Sequence, residues 1–186
     1  DYPILDNGEL AKLRHSADPT LRAVTLPMLF NAGDEAAGLE RAMDELCRQA
    51  SAAVEAGYAL LVLSDRGVNA ERAPIPSLLA TAGVHHHLVR EGTRARCGLI
   101  IESGEAREAH HMALLLGYGA GAINPYLAFE IIEELICEGE VPEIDPPQGI
   151  RHHILALTKG VLKIMSKMGI STLQGYRGAL FMRGVD

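Results

Sequence analysis

The chain has 186 residues and a formal net charge of −7, with 48% hydrophobic and 22% charged residues, which suits one ordinary globular domain. No apolar run approaches the ~20 residues of a membrane span, and no basic tract is present to neutralise nucleic-acid phosphates. With 4% aromatics and no Trp there is no base-stacking platform, and without a basic-then-apolar leader pattern a cytoplasmic location is the default expectation.

Residues 1–22 form a polar, turn-rich N-terminal segment in which Asp6-Asn7 is a plausible cap for a short helix through Leu13. Ala23–Leu26 reads as a strand. The following stretch, Glu35 to Glu55, puts Leu39, Met43, Leu46, Cys47, Ala50 and Val54 on one helical face, and Gly57 stops it. Ala59–Leu63 is almost wholly apolar, as expected of a strand buried on both faces of a parallel sheet. Pro74 and Pro76 precede a helix over Ser77–Arg90. Cys97–Ile101 is the next strand, and a helix is expected from Glu105 to Leu116, stopping at Gly117. Ala120–Ile123 is a weaker strand, after which Pro125 opens a helix to about Cys137.

Residues 140–149 carry Pro142, Pro146, Pro147 and acidic side chains and read as a surface linker. Beyond it, residues 150–186 hold a helix with Lys159, Lys163 and Lys167 on one face, ended by Gly169. Ile170–Leu173 then reads as a short strand or its approach, and a second helix starts at Gln174. Residues 23–139 are thus an α/β core of four β-α units, an alternation that argues for a parallel sheet with right-handed crossovers. Four units are too few to close a barrel, so an incomplete (β/α)₈ barrel with an extra C-terminal helix is expected. An unfinished sheet leaves an uncovered edge and face, expected near Ile170–Val185, and the isolated chain is therefore expected to self-associate.

Few residues propose chemistry. Cys47, Cys97 and Cys137 are an odd number with no CxxC pair and read as small buried hydrophobes, not as metal or cluster ligands. Histidines come in adjacent runs, His85–His87, His110-His111 and His152-His153. Neighbouring helical positions point about 100° apart, so such runs do not converge on one metal. The glycines of Gly117–Ala122 follow a helix and precede a strand, the reverse of a pyrophosphate-binding loop.

More informative are the C-terminal ends of the strands, where ligands gather in parallel α/β folds. Ser64, Asp65, Arg66, Glu102, Ser103, Glu105 and Asn124 fall there. Ser103-Gly104-Glu105 could present N–H groups to an anion, but Glu102 and Glu105 already supply negative charge. An Arg66–carboxylate pair bracing the edge is the expected arrangement, in preference to acid–base catalysis. From the residues alone, no catalytic, cofactor-binding or metal-binding residue is assigned.

Five segments, LVLSDR at 61–66, APIPSLLATAGVHHHLVREGTR at 73–94, ESGEAREAHHMALLLGYG at 102–119, AINPYLAFE at 122–130 and KGVLKIMSKMGISTLQGYRGA at 159–179, resemble in order the central region of glutamate synthase large subunits. The resemblance implies a piece of that subunit lying between a glutamine amidotransferase domain and an FMN-binding synthase domain, which would be its partners in the same parent chain. It implies parent chemistry that converts glutamine, 2-oxoglutarate and reductant to two glutamates, using FMN and a 3Fe-4S cluster. The nucleophile, flavin ligands and cluster cysteines of the family lie outside this region, so the fragment itself is expected to be inactive and free of cofactor. Its implied work is to space the two catalytic domains and help enclose the ammonia route, with Ser64, Asp65, Arg66, Glu102, Ser103 and Asn124 as strand-end or tunnel-wall positions. The alternative is a free-standing small α/β protein that binds an anionic metabolite at those strand ends.

Overall fold

A computed structural model describes residues 3–141 and 144–178. Its centre is a four-stranded parallel sheet of β1 (Ala23–Pro27), β3 (Leu60–Ser64), β5 (Gly98–Glu102) and β6 (Ala122–Asn124), in that spatial order. Each strand lies beside the next parallel one, in registers such as Thr25 opposite Val62 and Val62 opposite Ile100. The order has no reversal, which is the winding of a barrel and not of a doubly wound sheet. Between the strands run α2 (Glu35–Glu55), α3 (Ser77–Arg90) and α4 (Ala109–Gly117), and α5 (Tyr126–Cys137) follows β6. The four-unit alternation expected from the sequence is present.

The strands read as unbroken apolar runs because both faces of the sheet are covered. Leu61, Leu63, Leu99, Ile101 and Ile123 point into the main core with residues of α2–α4. Val62 and Ile100 point the other way, onto Leu10 of α1 (Asn7–Arg14), with Leu5 and Leu13 beside them. The helix thus lies over the face that would be the inside of a closed barrel. The N-terminal segment is therefore less peripheral than its polarity suggests, since Ile4 and Leu10 are buried. Ile4 also bridges to Ile123 in parallel, with Leu5 N–H donating to the Ile123 carbonyl at 2.8 Å, and so lengthens the sheet beyond β6. Asp6 caps α1 in a reciprocal box with Glu9.

Several details depart from the sequence reading. A small antiparallel pair, β2 (Leu29–Asn31) with β4 (Arg72–Pro74), is an addition, too short to leave a periodic signal. The helix expected from Glu105 starts only at Ala109, because residues 103–108 form a loop anchored by side chains, described below. Pro146 and Pro147, read as linker, form the first turn of α6 (Pro146–Lys167), where proline's missing N–H costs nothing and Asp145 caps the end; Pro142 lies outside the described residues. Ile170–Leu173 is not a strand. Thr172 caps a one-turn helix, α7 (Leu173–Tyr176), and no described strand lies in reach to pair with it.

Helix α6 packs across α4 and α5. The approach is close enough that a Cβ at Gly160 would sit 2.4 Å from the Ala109 Cβ, so only glycine fits that crossing. Lys159, Lys163 and Lys167 are exposed on its outer face. Exposed large apolar residues include Leu127, Ile131 and Leu135 on α5 and Leu155 and Leu162 on α6, with others on α3 (Leu79, Val89) and elsewhere (Leu21, Val68, Val141). The sequence predicts such a surface near Ile170–Val185; Leu162 does line a cleft with Ile170 and Ser171, and residues 179–185 lie outside the described residues. The cysteines differ among themselves: Cys97 is buried and Cys47 half-buried, but Cys137, at the end of α5, is exposed. Among the described residues no helix is long and apolar enough to cross a membrane.

Candidate functional site

The C-terminal ends of β3, β5 and β6 and the loops after them hold all seven residues that the sequence placed there, and Glu102 is the hub. It is the last residue of the central strand β5, 1% exposed, and it faces the α1 side of the sheet as Ile100 does. Arg14, at the end of α1, grips both its carboxylate oxygens through Nη1 at 3.1 Å and Nη2 at 2.5 Å. Arg66 adds Nε at 2.8 Å, and Ser64 donates its hydroxyl at 2.5 Å. Burial opposes the charge on Glu102, but hydrogen bonds from Arg14, Ser64 and Arg66 outweigh it and hold the carboxyl below its ordinary value. Arg66 continues outward, pairing with Glu130 at 2.9 Å and lying 3.9 Å over the Tyr126 ring.

A second knot surrounds Asp65, 2% exposed. It accepts the Gly104 N–H on both oxygens, at 2.9 and 3.1 Å, and the Ser103 hydroxyl at 3.0 Å. Burial nevertheless dominates and pushes its carboxyl up, against the hydrogen bonds from Gly104, Tyr126 and Ser103. Ser103, fully buried, shares a hydroxyl bond of 2.6 Å with Ser77 and accepts the Glu105 N–H at 3.0 Å. Glu105 then accepts the Ser77 N–H at 2.7 Å at the start of α3. These bonds hold residues 103–105 in a loop, and His111 Nδ1 accepts the N–H groups of Arg107 and Glu108 to begin α4. Asn124 is committed elsewhere: its Nδ2 donates to the Leu5 carbonyl and to Asn7 Oδ1, both at 3.0 Å, pinning the N-terminal segment to the edge.

The expected Arg66–carboxylate brace is therefore present, but it is larger than the sequence indicated. Arg14, Ser77, Tyr126 and Glu130 were not singled out. Arg14 carries no local signal, since it is 88 residues from Glu102 and looks like a basic residue ending an amphipathic helix. A cleft of about 360 Å³ opens beside the knot, lined by Ser77, Leu78, Glu105, Arg107 and His111. Among the described residues no group of three or more His, Cys, Asp or Glu side chains could hold a metal ion.

The whole chain was compared with known proteins. The family model described as the glutamate synthase central domain matches residues 1–185. The glutamate synthase [NADPH] large chain of Bacillus subtilis is 43% identical over 183 residues, covering 98% of this chain and 12% of that one. The glutamate synthase [NADH] of Schizosaccharomyces pombe is 45% identical over 189 residues, covering 99% and 9%. The chloroplastic ferredoxin-dependent enzyme of Spinacia oleracea is 39% identical, covering 95% and 12%. The chain thus spans only about a tenth of the length of these relatives. Among solved structures, the flavin-binding domain of baker's yeast flavocytochrome b2 superposes with a TM-score of 0.58 at 18% identity, over 72% of this chain and 32% of that one. A mandelate oxidase with benzoyl-formic acid gives 0.58 at 16% identity, over 84% and 38%. These likenesses concern the fold, and each covers about a third of the neighbour, as a partial barrel would.

The strand ends do not suit the FMN of a complete flavin barrel. Asp65, Glu102, Glu105 and Glu130 crowd the edge against two guanidiniums, Arg14 and Arg66, both already committed to carboxylates. A phosphate approaching this edge would meet net negative charge, with the Arg14 and Arg66 donors already taken; Arg107 lines the adjoining cleft.

Proposed function

Because the chain belongs to the glutamate synthase central-domain family, we propose that it is a non-catalytic spacer between the amidotransferase and FMN-binding domains of a glutamate synthase, helping to wall the ammonia route between them. The observation that carries this reading is the internally closed strand edge. Where a flavin barrel would present ligand-binding loops, this chain spends its charged groups on one another. Charged groups paired with one another in this way hold the strand-end loops in one geometry and commit them to structure. Conversion of glutamine and 2-oxoglutarate to glutamate, with FMN and a 3Fe-4S cluster, belongs to the rest of the parent.

The test uses the intact parent enzyme. Substituting Ser103 by a bulky residue is a poor probe, because Ser103 is fully buried and such a change would disrupt the loop itself. Val68, 49% exposed in the loop after β3, is the better choice. Val68→Trp should leave synthesis from added ammonia near wild type, while glutamine-driven synthesis falls behind glutamine hydrolysis. The ratio of glutamine consumed to 2-oxoglutarate aminated measures that uncoupling. A joint collapse of both rates in a folded enzyme would assign this loop to the synthase chemistry instead. An unchanged ratio for Val68→Trp and for a second substitution at exposed Ala70 in the same loop would limit the segment to spacing.

A further inference from the structure

Charge is divided unevenly between two neighbouring helices. From Tyr126 to Asp145 the chain carries acidic residues and no Lys or Arg, whereas from Pro146 to Gly178 it carries Lys and Arg and no Asp or Glu. Helix α5 exposes Glu133, Glu134 and Glu138, and α6 exposes Arg151, Lys159, Lys163 and Lys167. Among the described residues none of these side chains forms an ion pair. Aliphatic side chains stand exposed beside the charges, Ile131 and Leu135 on α5 at 39% each and Leu162 on α6 at 56%. A chain with a net charge of −7 therefore keeps one wholly basic helix and leaves it unneutralised by its own acids.

Packing sets the two charges at opposite ends of one helical hairpin. Helices α5 and α6 run antiparallel: a Cβ at Gly149 would sit 2.6 Å from Ile136 Cδ1 and 3.1 Å from Ile132 Cγ2, and the Phe129 and His153 rings meet edge to face with centroids 6.2 Å apart. Glu133, Glu134 and Glu138 thus lie beside the first turns of α6. The three lysines lie in its second half, with Lys163 about 18 Å farther along the axis than Glu134. At that basic end Leu162 borders a cleft of about 420 Å³ with Met165, Gly169 and Ile170. One end of the hairpin is acidic with projecting aliphatic side chains; the other is basic with an apolar recess. A two-fold rotation lays each end on its complement in a second copy.

We propose that the α5–α6 hairpin is a self-complementary docking surface whose partner is a second copy of this chain, paired about a two-fold axis with the acidic end of each hairpin on the basic end of the other. Apolar contact supplies the short-range attraction, Ile131 and Leu135 covering the recess beside Leu162. The charges fix the antiparallel register and disfavour the parallel one, which sets like charges together. The 22-residue α6 is about 33 Å long and two packed helices are about 20 Å wide, so the footprint is on the order of 600 Å² on each copy. That area lies at the low end of specific interfaces and corresponds to a concentration-dependent dimer, not an obligate one.

Sedimentation equilibrium of the 186-residue chain tests the pairing. The wild type should reach a dimer and go no further as concentration rises, and raising sodium chloride from about 50 to about 500 mM should weaken that dimer at least about tenfold. Combining Lys159→Glu, Lys163→Glu and Lys167→Glu leaves both ends acidic, and combining Glu133→Lys, Glu134→Lys and Glu138→Lys leaves both basic; each variant alone should be monomeric. Glu130 is left intact because it holds Arg66. Mixed in equal amounts, the two variants should form a heterodimer of wild-type affinity, which also shows that both are folded. A monomeric wild type would assign the hairpin to a different partner and overturn the proposal. So would open-ended association, single variants that still dimerise, or variants folded by circular dichroism that fail to pair when mixed.

Discussion

Replacing Glu102 by Gln isolates the strand-end brace, because it keeps the side chain's size and removes its charge. In the wild type one carboxylate, almost wholly buried, satisfies two guanidiniums and a hydroxyl. Removing one partner of a buried ion pair costs about 3–5 kcal/mol, since the partner is left uncompensated. Here the Arg14 and Arg66 side chains are 26% and 41% exposed, so both can regain some water, and Arg66 retains Glu130. The expected loss is therefore about 2–3 kcal/mol. Equilibrium urea unfolding should show it as a lower midpoint with an unchanged slope, and thermal unfolding as a drop of about 5–10 °C. The pH dependence provides a second check. Because the folded-state carboxyl lies below its ordinary 4.5, its stabilisation is complete above that value and is lost as pH falls through the folded value. Wild type and variant should thus differ fully at neutral pH and converge in acid. A variant within about 0.5 kcal/mol of wild type at neutral pH, or a gap that persists in acid, would refute the assignment of Glu102 as hub.

Asp65→Asn should behave in the opposite sense. Burial raises the Asp65 carboxyl above its ordinary 3.8, so the wild type loses stability as pH rises through the folded value, whereas the amide does not; stability measured against pH should shift in the variant's favour across that window, ending within about 1 kcal/mol of wild type at neutral pH. His85 should stay neutral through the physiological range, because burial first, then the charges of Arg94, His86 and Arg177, lower it to about 4. Its ring resonances should titrate only near that value, and the stability it contributes should be present above its ordinary 6.5 and lost as pH falls toward about 4. The isolated chain should self-associate through the apolar stripe Leu127, Ile131 and Leu135 on α5; sedimentation should show a concentration-dependent mass that Ile131→Lys reduces, and a strict monomer at high concentration would contradict it.

The parallel sheet was legible in the sequence because both of its causes are local. Leu60–Leu63 and Leu99–Ile101 lack the alternation of a half-exposed strand, and helix-period segments with glycine stops separate them. The position of the candidate site was legible for the same reason: once a segment is a parallel strand, its C-terminal residues are known, and Ser64–Arg66, Glu102-Ser103 and Asn124 do meet at that edge. What those residues do there was decided by tertiary contacts. Glu102 ends a strand as any acidic residue might, and only the return of α1 across the inner face brings Arg14 to it. Glu105 looks like the first turn of a helix, yet its carboxylate is drawn to the Ser77 N–H, and α4 starts later as a result. Arg94 and Arg177 are 83 positions apart (177 − 94), and their charges act on one another only because α7 packs back onto α4. Periodicity and turn chemistry act over a few residues and are written in order along the chain. Charge pairing depends on distance in space, which the fold alone sets.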